Sequence, residues 1–398
     1  MLRVGIVGGR LQGLEAVYLA KQAGFEVAVI DKDPLVPAAA LVDEFYNLDL
    51  IGGGLSAKAL VTEFDLILPA TENYEVLVWL KKAARQHNVP LAFDLQAYNI
   101  SSSKKKSNRL FTMAGIPIPE QWPGCDFPVI VKPSNLSGSR GVERVDDQDY
   151  LRALMNRLGD DIVIEKYLAG PSYSLEIIAD KGKCVELQVT ELNFDRGFDC
   201  KRVIAGPNTG RKADEALREI GKRISSVLNL SGIMDIEVIE TDNGLKVLEI
   251  DARLPSQTPS AVYHSTGVNM VSLLADYWVD GRLPARGKLF GGDCRAVIYE
   301  HLRFRRGTLE VAGEHILTDA RNLKIYKDMF TADVMISNFA ETSQEWVATL
   351  IFTDETEMAV WEKRNRAIDA ICRSFYANRF IDPEPFGEGG VDYDQIIL

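Results

Sequence analysis

Glu237 and Glu249 stand on a stretch that reads as a β-hairpin, Ile233-Met-Asp-Ile-Glu-Val-Ile-Glu-Thr-Asp-Asn-Gly-Leu-Lys-Val-Leu-Glu-Ile-Asp-Ala-Arg253. Apolar and acidic residues alternate on both arms, so each strand should carry one apolar and one charged face. The turn decides whether the glutamates meet. A two-residue Asn243-Gly244 loop puts them on opposite faces. A three-residue loop of Asp242, Asn243 and a left-handed Gly244 pairs Thr241 with Leu245. Glu237 then faces Glu249, Asp235 faces Asp251 and Ile233 faces Arg253. Like charges opposed on paired strands destabilise each other, which calls for a cation between them. Magnesium carrying nucleotide phosphates suits hard carboxylate oxygens. A solvated acidic face is the competing account.

Something must position that hairpin, and the first hundred residues read as a βαβ series. Leu2 to Val7 is an apolar strand, Leu14 to Ala23 a helix, and Glu26 to Ile30 a second strand ending at Asp31. The intervening Gly8-Gly9-Arg10-Leu11-Gln12-Gly13 nearly matches the dinucleotide fingerprint, but Arg10 replaces the glycine where backbone must approach a pyrophosphate. That substitution weakens the case for a nicotinamide-dependent oxidoreductase. The loop remains suited to an adenosine, contacted by Leu11 and Asp31, or to an amino acid at a helix N-terminus. Tight strand–helix packing alone would also explain its glycines. Asp65 to Asn73 is a further buried strand with polar residues at its carboxyl end, where open α/β sheets bind ligands. Glu72 there is placed to meet an ammonium group.

A polar joint, Ser101-Ser-Ser-Lys-Lys-Lys-Ser107, leads to a second unit with a helix over Asn108 to Ala114. Phe127 to Pro133 is a strand ending in Lys132, followed by the small-residue loop Ser134-Asn-Leu-Ser-Gly-Ser-Arg-Gly-Val142. Backbone donors in such a loop can close over phosphates while Lys132 supplies a point charge. Further strands run over Ile162 to Leu168 and Tyr173 to Ile178. Beyond about 290, Ala296 to Tyr299 and Val347 to Phe352 read as strands and Glu355 to Phe375 as a helix. Arg303-Phe-Arg-Arg306 reads as a local salt-bridge surface.

Composition narrows the partners. A chain of 398 residues exceeds one ordinary core, and a net charge of −12 disfavours nucleic acid or an anionic membrane as partner. Five scattered cysteines (125, 184, 200, 294, 372) without a Cys-x-x-Cys pair favour free thiols in a reducing cytoplasm. The chain opens directly in a strand, leaving no room for a signal peptide, and no apolar run spans a bilayer.

Taken in order, the lysines at 104–106, the Gly115-Ile-Pro-Ile-Pro119 turn, Val131-Lys132-Pro133, the Ser/Gly loop, Glu165-Lys-Tyr-Leu168, and then Glu237 with Glu249-x-Asp251-x-Arg253 resemble the ATP-grasp ligases. That family includes D-alanine–D-alanine ligase and biotin carboxylase, and the resemblance spans residues 1 to about 300. It implies an ATP-grasp fold, α/β overall and α+β in the ATP-binding part. A Rossmann-like N-terminal domain would cover 1–100, and an ATP-grasp domain 101–290 with a flexible phosphate loop at about 134–142. A C-terminal domain over 291–398 would complete the core.

The same resemblance implies roles. Lys104 would contact the α-phosphate of ATP, with Lys105 and Lys106 adjacent leaving open which of the three acts, and Lys132, with Ser139 and Gly141 of the loop, the phosphates. Glu165 would accept from the adenine amino group, and Lys166 and Leu168 would offer backbone bonds to the ring. Glu237, Glu249 and Asp251 would hold two magnesium ions, and Arg253 the γ-phosphate or the reacting carboxylate. Three positions depart from the family's pattern: Ser103 where aspartate is frequent, Asp251 where asparagine is usual, and Ser172 where many members carry a ribose-binding glutamate.

The runs Gly170 to Ile178 and Leu254 to Asn269 resemble a branch of the family that joins two amino acids. That likeness extends over the whole chain. It implies an isopeptide bond between the carboxylate of 3-methyl-D-ornithine and the ε-amine of L-lysine, on the route to pyrrolysine. Ser256, Glu176 and Asp235 are then assigned to the ornithine side, and Gln12, Gly13 and Glu72 to lysine. No histidine is obviously placed to deprotonate the amine, which leaves Asp235, Glu176 or the released phosphate. Partners would be these small molecules, with room for a homodimer. The alternatives are another ATP-grasp amino-acid ligase or carboxylase and, in different classes, a nicotinamide-dependent oxidoreductase or a nucleotide-binding protein without turnover.

Overall fold

The computed structural model describes residues 1–383 apart from 284, 291, 341 and 342. Arg3–Val7 (β1), Glu26–Asp31 (β2), Glu44–Asn47 (β3) and Leu66–Pro69 (β4) form a parallel sheet in the order β3-β2-β1-β4. Leu11–Gln22 (α1) crosses from β1 to β2, the 3-10 turn Pro37–Leu41 from β2 to β3 and Gly54–Val61 (α2) from β3 to β4, and Tyr74–His87 (α3) follows β4. The strand order reverses between β1 and β4, which opens a crevice beyond their carboxyl ends. Gly8 follows β1 there, and any Cβ on it would lie 2.3 Å from the Ala70 carbonyl oxygen. Gly13 is equally constrained, since a Cβ would fall 2.1 Å from the Gly8 oxygen. These glycines serve close packing of strand, turn and helix.

Leu95–Ser101 (α4) and Lys104–Ala114 (α5) follow. The polar joint expected over 101–107 is instead the end of one helix and the first turn of the next. Ser103 is extended and its carbonyl accepts from Ser107 N–H, so Lys104 is the first helical residue. Val129–Pro133 (β5), Glu143–Val145 (β6) and Ile162–Lys166 (β7) make a small antiparallel sheet in the order β6-β5-β7. Gln148–Leu158 (α6) covers it through Leu151 and Leu154, with Asp147 capping its N-terminus.

The remaining strands form one large sheet. Its path begins at the hairpin of Gly232–Thr241 (β11) and Gly244–Asp251 (β12). It continues through Ser172–Asp180 (β8), Lys183–Phe194 (β9) and Cys200–Ala205 (β10). Asp214–Leu228 (α7) packs one face through Leu217, Ile220 and Ile224. Thr258–Thr266 (α8) and Met270–Trp278 (α9) pack between this sheet and α1. Ala296–Arg305 (β13) pairs with β10, and Glu345–Asp354 extends the sheet from β13. Residues on both sides of 290 therefore share one hydrogen-bonded ladder. Glu357–Ser374 is the long C-terminal helix, two residues shorter at its start than read from sequence. Arg303 pairs with Glu310, and Arg305 and Arg306 with Glu345, so the basic patch is a salt-bridge surface.

The hairpin register differs in detail from the sequence reading. Thr241 pairs with Gly244, not Leu245, with Gly244 at φ +87°. The one-residue shift occurs farther along, where Val238 pairs with Val247 and Glu237 with Glu249, leaving Leu248 as a bulge. Asp235 still pairs with Asp251. β12 ends at that residue, so no Ile233–Arg253 pair forms, and Ile233 pairs with Ile178 on β8. The pairing of the acids was anticipated, but the turn does not produce it.

Candidate active site

Three neighbouring strands, β8, β11 and β12, stack their polar residues in two rows. Glu176, Asp235 and Asp251 form one row, and Ser174, Glu237 and Glu249 the other. Side chains two residues apart on a strand share a face, so five carboxylates project from one surface. Glu176 and Asp235 are buried, each with one carboxylate oxygen lacking a hydrogen-bond partner. Burial, then Glu249 and Asp251, push the Glu237 carboxyl up to about 8. Burial likewise raises Glu176 to about 7 and Asp251 to about 7, and Asp235 well above its ordinary range. A desolvated acid cluster with orphaned oxygens fits hard cations. Among the described residues no three such groups converge as a preformed metal cage. Glu249 is engaged instead by a lysine.

That lysine is Lys104, whose Nζ lies 2.6 Å from Glu249 Oε1 and 2.7 Å from the Leu136 carbonyl. Its neighbours turn away, Lys105 toward Asp160 and Asp161 and Lys106 toward Asn99. Sequence alone left the choice among the three open. Helical spacing resolves it, because adjacent helical residues diverge by about 100° around the axis. Lys132 is buried 2.6 Å from Glu165 Oε1 and donates to the Leu248 carbonyl at 3.3 Å. Burial acts to lower Lys132, but Glu165 and Glu249 outweigh it and hold the ammonium above its ordinary range.

Around the expected adenine edge, some groups already have partners. The Lys166 N–H donates to the Glu120 carbonyl, and its Nζ to the Asp126 and Phe127 carbonyls. Any contribution of Lys166 to a base is thereby reduced to its carbonyl. Glu165 also accepts from Gln121 at 3.3 Å. Leu168 follows in the loop after β7.

Arg253 joins this acid surface to the first sheet. Its Nη2 lies 2.9 Å from Asp251 Oδ2 and 3.1 Å from Glu72 Oε1, while its buried Nε has no partner. Glu72 also accepts from Ser137 of the 134–142 loop at 2.6 Å. It is thus a bridging carboxylate, with two protein donors where the sequence suggested an open one. Ser139, at φ +55°, donates to the Phe198 carbonyl at 2.5 Å, so the 134–142 loop lies folded across the site. Gly141, at φ +75°, packs on Pro133.

Two cavities meet here. One of about 770 Å³ is lined by Leu11, Gln12, Asp31, Glu72, Arg253 and Ser256, among others. A second, of about 100 Å³, is lined by the four hairpin acids, Ser139, Arg253 and Ser256. Leu11 and Asp31 therefore lie with the residues assigned to amino acids, not with Lys132 and Glu165. Both Asp31 oxygens accept backbone N–H groups, from Gly9 at 2.9 Å and Asp33 at 2.9 Å. Gln12 donates to the Leu254 carbonyl at 2.7 Å, and Gly13 is a packing residue.

Sequence reasoning missed Asp199, Glu314 and His315, which line these cavities from the β9–β10 turn and from Glu314–Leu317. No local pattern marks them; only the tertiary fold brings such segments to the hairpin.

Comparisons with known proteins agree with this arrangement. Residues 101–257 match the ATP-grasp domain family. The 3-methyl-D-ornithine–L-lysine ligase of Methanosarcina acetivorans is 36% identical over 353 residues, 88% of this chain and 93% of that protein. The ligase of the same name from Methanosarcina barkeri is 34% identical over 379 residues, 95% of this chain and 99% of that protein. Among solved structures, biotin carboxylase from Campylobacter jejuni matches with a TM-score of 0.70 at 15% identity, covering 93% of this chain and 91% of that one. An L-amino acid ligase from Bacillus licheniformis matches with a TM-score of 0.65 at 17% identity, covering 93% and 97%. These two likenesses speak to the fold. With its two rows of hairpin acids, its paired lysines and near full-length identity above 30% to the Methanosarcina enzymes, the chain belongs to the ATP-grasp ligase family.

Proposed function

We propose that this enzyme uses ATP to join the carboxylate of 3-methyl-D-ornithine to the ε-amine of L-lysine, a step toward pyrrolysine. The observation that carries the reading is identity above 30% along nearly the whole of two ligases bearing those substrate names. The acidic cavity supports it, since both substrates carry ammonium groups.

A carboxylate is a poor acyl donor because oxide would have to leave. Transfer of the γ-phosphoryl group makes an acyl phosphate, from which phosphate departs readily. Lys132 and Lys104 bring positive charge to the phosphates, and alignment contributes much of the rate. Glu237, Glu249 and Asp251 would hold magnesium, which when bound offsets negative charge on the phosphoryl oxygens. Arg253, which lines both cavities, would hold the reacting carboxylate and then steady the developing oxyanion. The folded 134–142 loop keeps water from the acyl phosphate. Ser256, Glu176 and Asp235 serve the ornithine side, and Glu72, beside Gln12 and Gly13, the lysine side.

The test is ADP and phosphate release with D-ornithine or its 3-methyl derivative plus L-lysine, with mass spectrometry of the product. Turnover with a different amine and carboxylate pair, and none with this one, would reject the substrates while leaving the ligase class intact.

A further inference from the structure

His315 lines the larger cavity together with Arg253, Ser256 and Glu72. Its Nδ1 lies 2.8 Å from Asp199 Oδ2, and the same oxygen accepts the His315 backbone N–H at 3.1 Å. Asp199 is itself fixed. Its N–H donates to Asp195 Oδ1 at 3.1 Å, and its carboxylate fills the space beside Gly313, where a Cβ would fall 2.0 Å from Oδ2. An imidazole whose Nδ1–H is donated to a carboxylate presents Nε2 as the basic nitrogen. That nitrogen makes no hydrogen bond among the described residues. The preceding residue, Glu314, interacts with the Ser256 hydroxyl, on the side assigned to the acyl donor.

The other histidines are unsuited. His264 is held by the Tyr18 hydroxyl at 2.7 Å, and His301 is buried against Thr349 at 2.9 Å. His87 lies in the last turn of α3, outside both cavities.

We propose that the Asp199–His315 pair is the proton acceptor for the attacking amine, with His315 Nε2 touching the substrate and Asp199 as its positioning residue. The inference rests on the ligase reading given above. The ε-ammonium gives one proton to Nε2. The freed lone pair then forms the C–N bond to the acyl carbon, and the C–O bond to phosphate breaks with its electron pair leaving on phosphate. The second nitrogen-bound proton goes to the departing phosphate, and the imidazolium returns its own to solvent. The charged groups facing His315 are Asp199, Glu314 and Arg140. Asp199 first, with Glu314, raises its proton affinity, against burial and Arg140. Gly138 of the phosphate loop lies over the ring, since a Cβ there would fall 2.7 Å from Cε1 and 2.9 Å from Nε2. The loop that covers the phosphates thus also covers the base.

Hydroxylamine separates the steps, because it is uncharged at neutral pH and traps an acyl phosphate without needing a base. With ATP, magnesium and D-ornithine, His315→Asn should form hydroxamate within about twofold of the parent. Its kcat for joining L-lysine should fall roughly 10²-fold or more near pH 7. The deficit should shrink as pH rises toward lysine's own pKa of about 10.4. Asp199→Asn should show a milder loss and a displaced pH profile. Equal loss of hydroxamate and ligation in both variants would mark a structural role and overturn the proposal, as would unimpaired ligation. A parent enzyme that makes no hydroxamate would overturn the ligase reading itself, and the proposal with it.

Discussion

Glu249 faces Glu237 across β11 and β12 because Leu248, the residue before it, bulges from the ladder. Were Leu248 paired in a regular ladder instead, the register set at the turn would place it opposite Glu237 and carry Glu249 to the opposite face. The bulge also offers the Leu248 carbonyl to Lys132 at 3.3 Å. One irregularity therefore aligns two acids and steadies a lysine.

Deleting Leu248 leaves Glu249 directly after Val247 and still opposite Glu237, so it removes the bulge and its carbonyl contact to Lys132 while keeping the acid pair, and it should lower ADP formation without abolishing it. Leu248→Ala keeps the backbone bulge and should retain activity within about threefold, because its side chain is only partly buried. Parallel assays of ADP release by the two variants check this, and a deletion as active as the parent would remove the bulge's carbonyl from the account.

The acid cluster should make the ligand-free protein less stable as pH rises. Glu237 is raised to about 8 and Glu176 and Asp251 to about 7, above unfolded carboxylate values near 4. The folded state then holds protons that the unfolded chain releases, so stability is full below about pH 4 for these groups and is lost as pH climbs through about 7 to 8. Urea midpoints at pH 5.5, 7 and 8 should fall in that order. Glu237→Gln should flatten the trend and raise the pH 8 midpoint while removing turnover. Midpoints that rise across this range contradict the cluster's protonation.

Lys132 and Glu165 form a buried pair 2.6 Å apart. Removing one partner strands the other, at a cost of about 3 kcal/mol. Lys132→Met should therefore lower stability and lose roughly 10²-fold in phosphoryl transfer. Lys132→Met with Glu165→Leu should recover much of the stability and none of the activity. Denaturation and ADP assays of the same samples separate the two effects.

Arg253→Lys keeps a charge but cannot span Asp251 and Glu72 with a planar fork. Expected is a fall in kcat of about 10²-fold with little change in the denaturation midpoint. A change confined to KM would place Arg253 in ground-state binding alone.

Far from the site, Asp382 binds Lys201, Arg202 and Arg364, with Glu300 completing the buried network. Asp382→Asn should destabilise the protein by about 3 kcal/mol, leaving kcat of the folded fraction unchanged. Thermal melts alongside active-site titration test that separation.

Much of the fold was legible because its signals are local. Continuous apolar runs marked β1 and β2, alternation marked β11, and glycines marked turns where a Cβ meets backbone, as at Gly8 and Gly13. The hairpin acids were legible through alternation, although the wrong irregularity was credited with their pairing. Lys104 was ambiguous because three lysines adjoin and only the helix phase chooses among them. The bridging role of Glu72 was invisible, since its partners Ser137 and Arg253 lie 65 and 181 positions away.

From its residues alone the chain declared a carboxylate-rich hairpin, a lysine strand before a Ser/Gly loop and an N-terminal βαβ unit, all properties of neighbours in sequence. Tertiary structure decided which oxygens remain without donors, that Asp31 accepts two backbone N–H groups, and that Asp199 and His315 meet beside Arg253. The division is physical. Periodicity and turn chemistry act over a few residues, whereas desolvation and charge pairing depend on groups that only packing brings within a few ångströms.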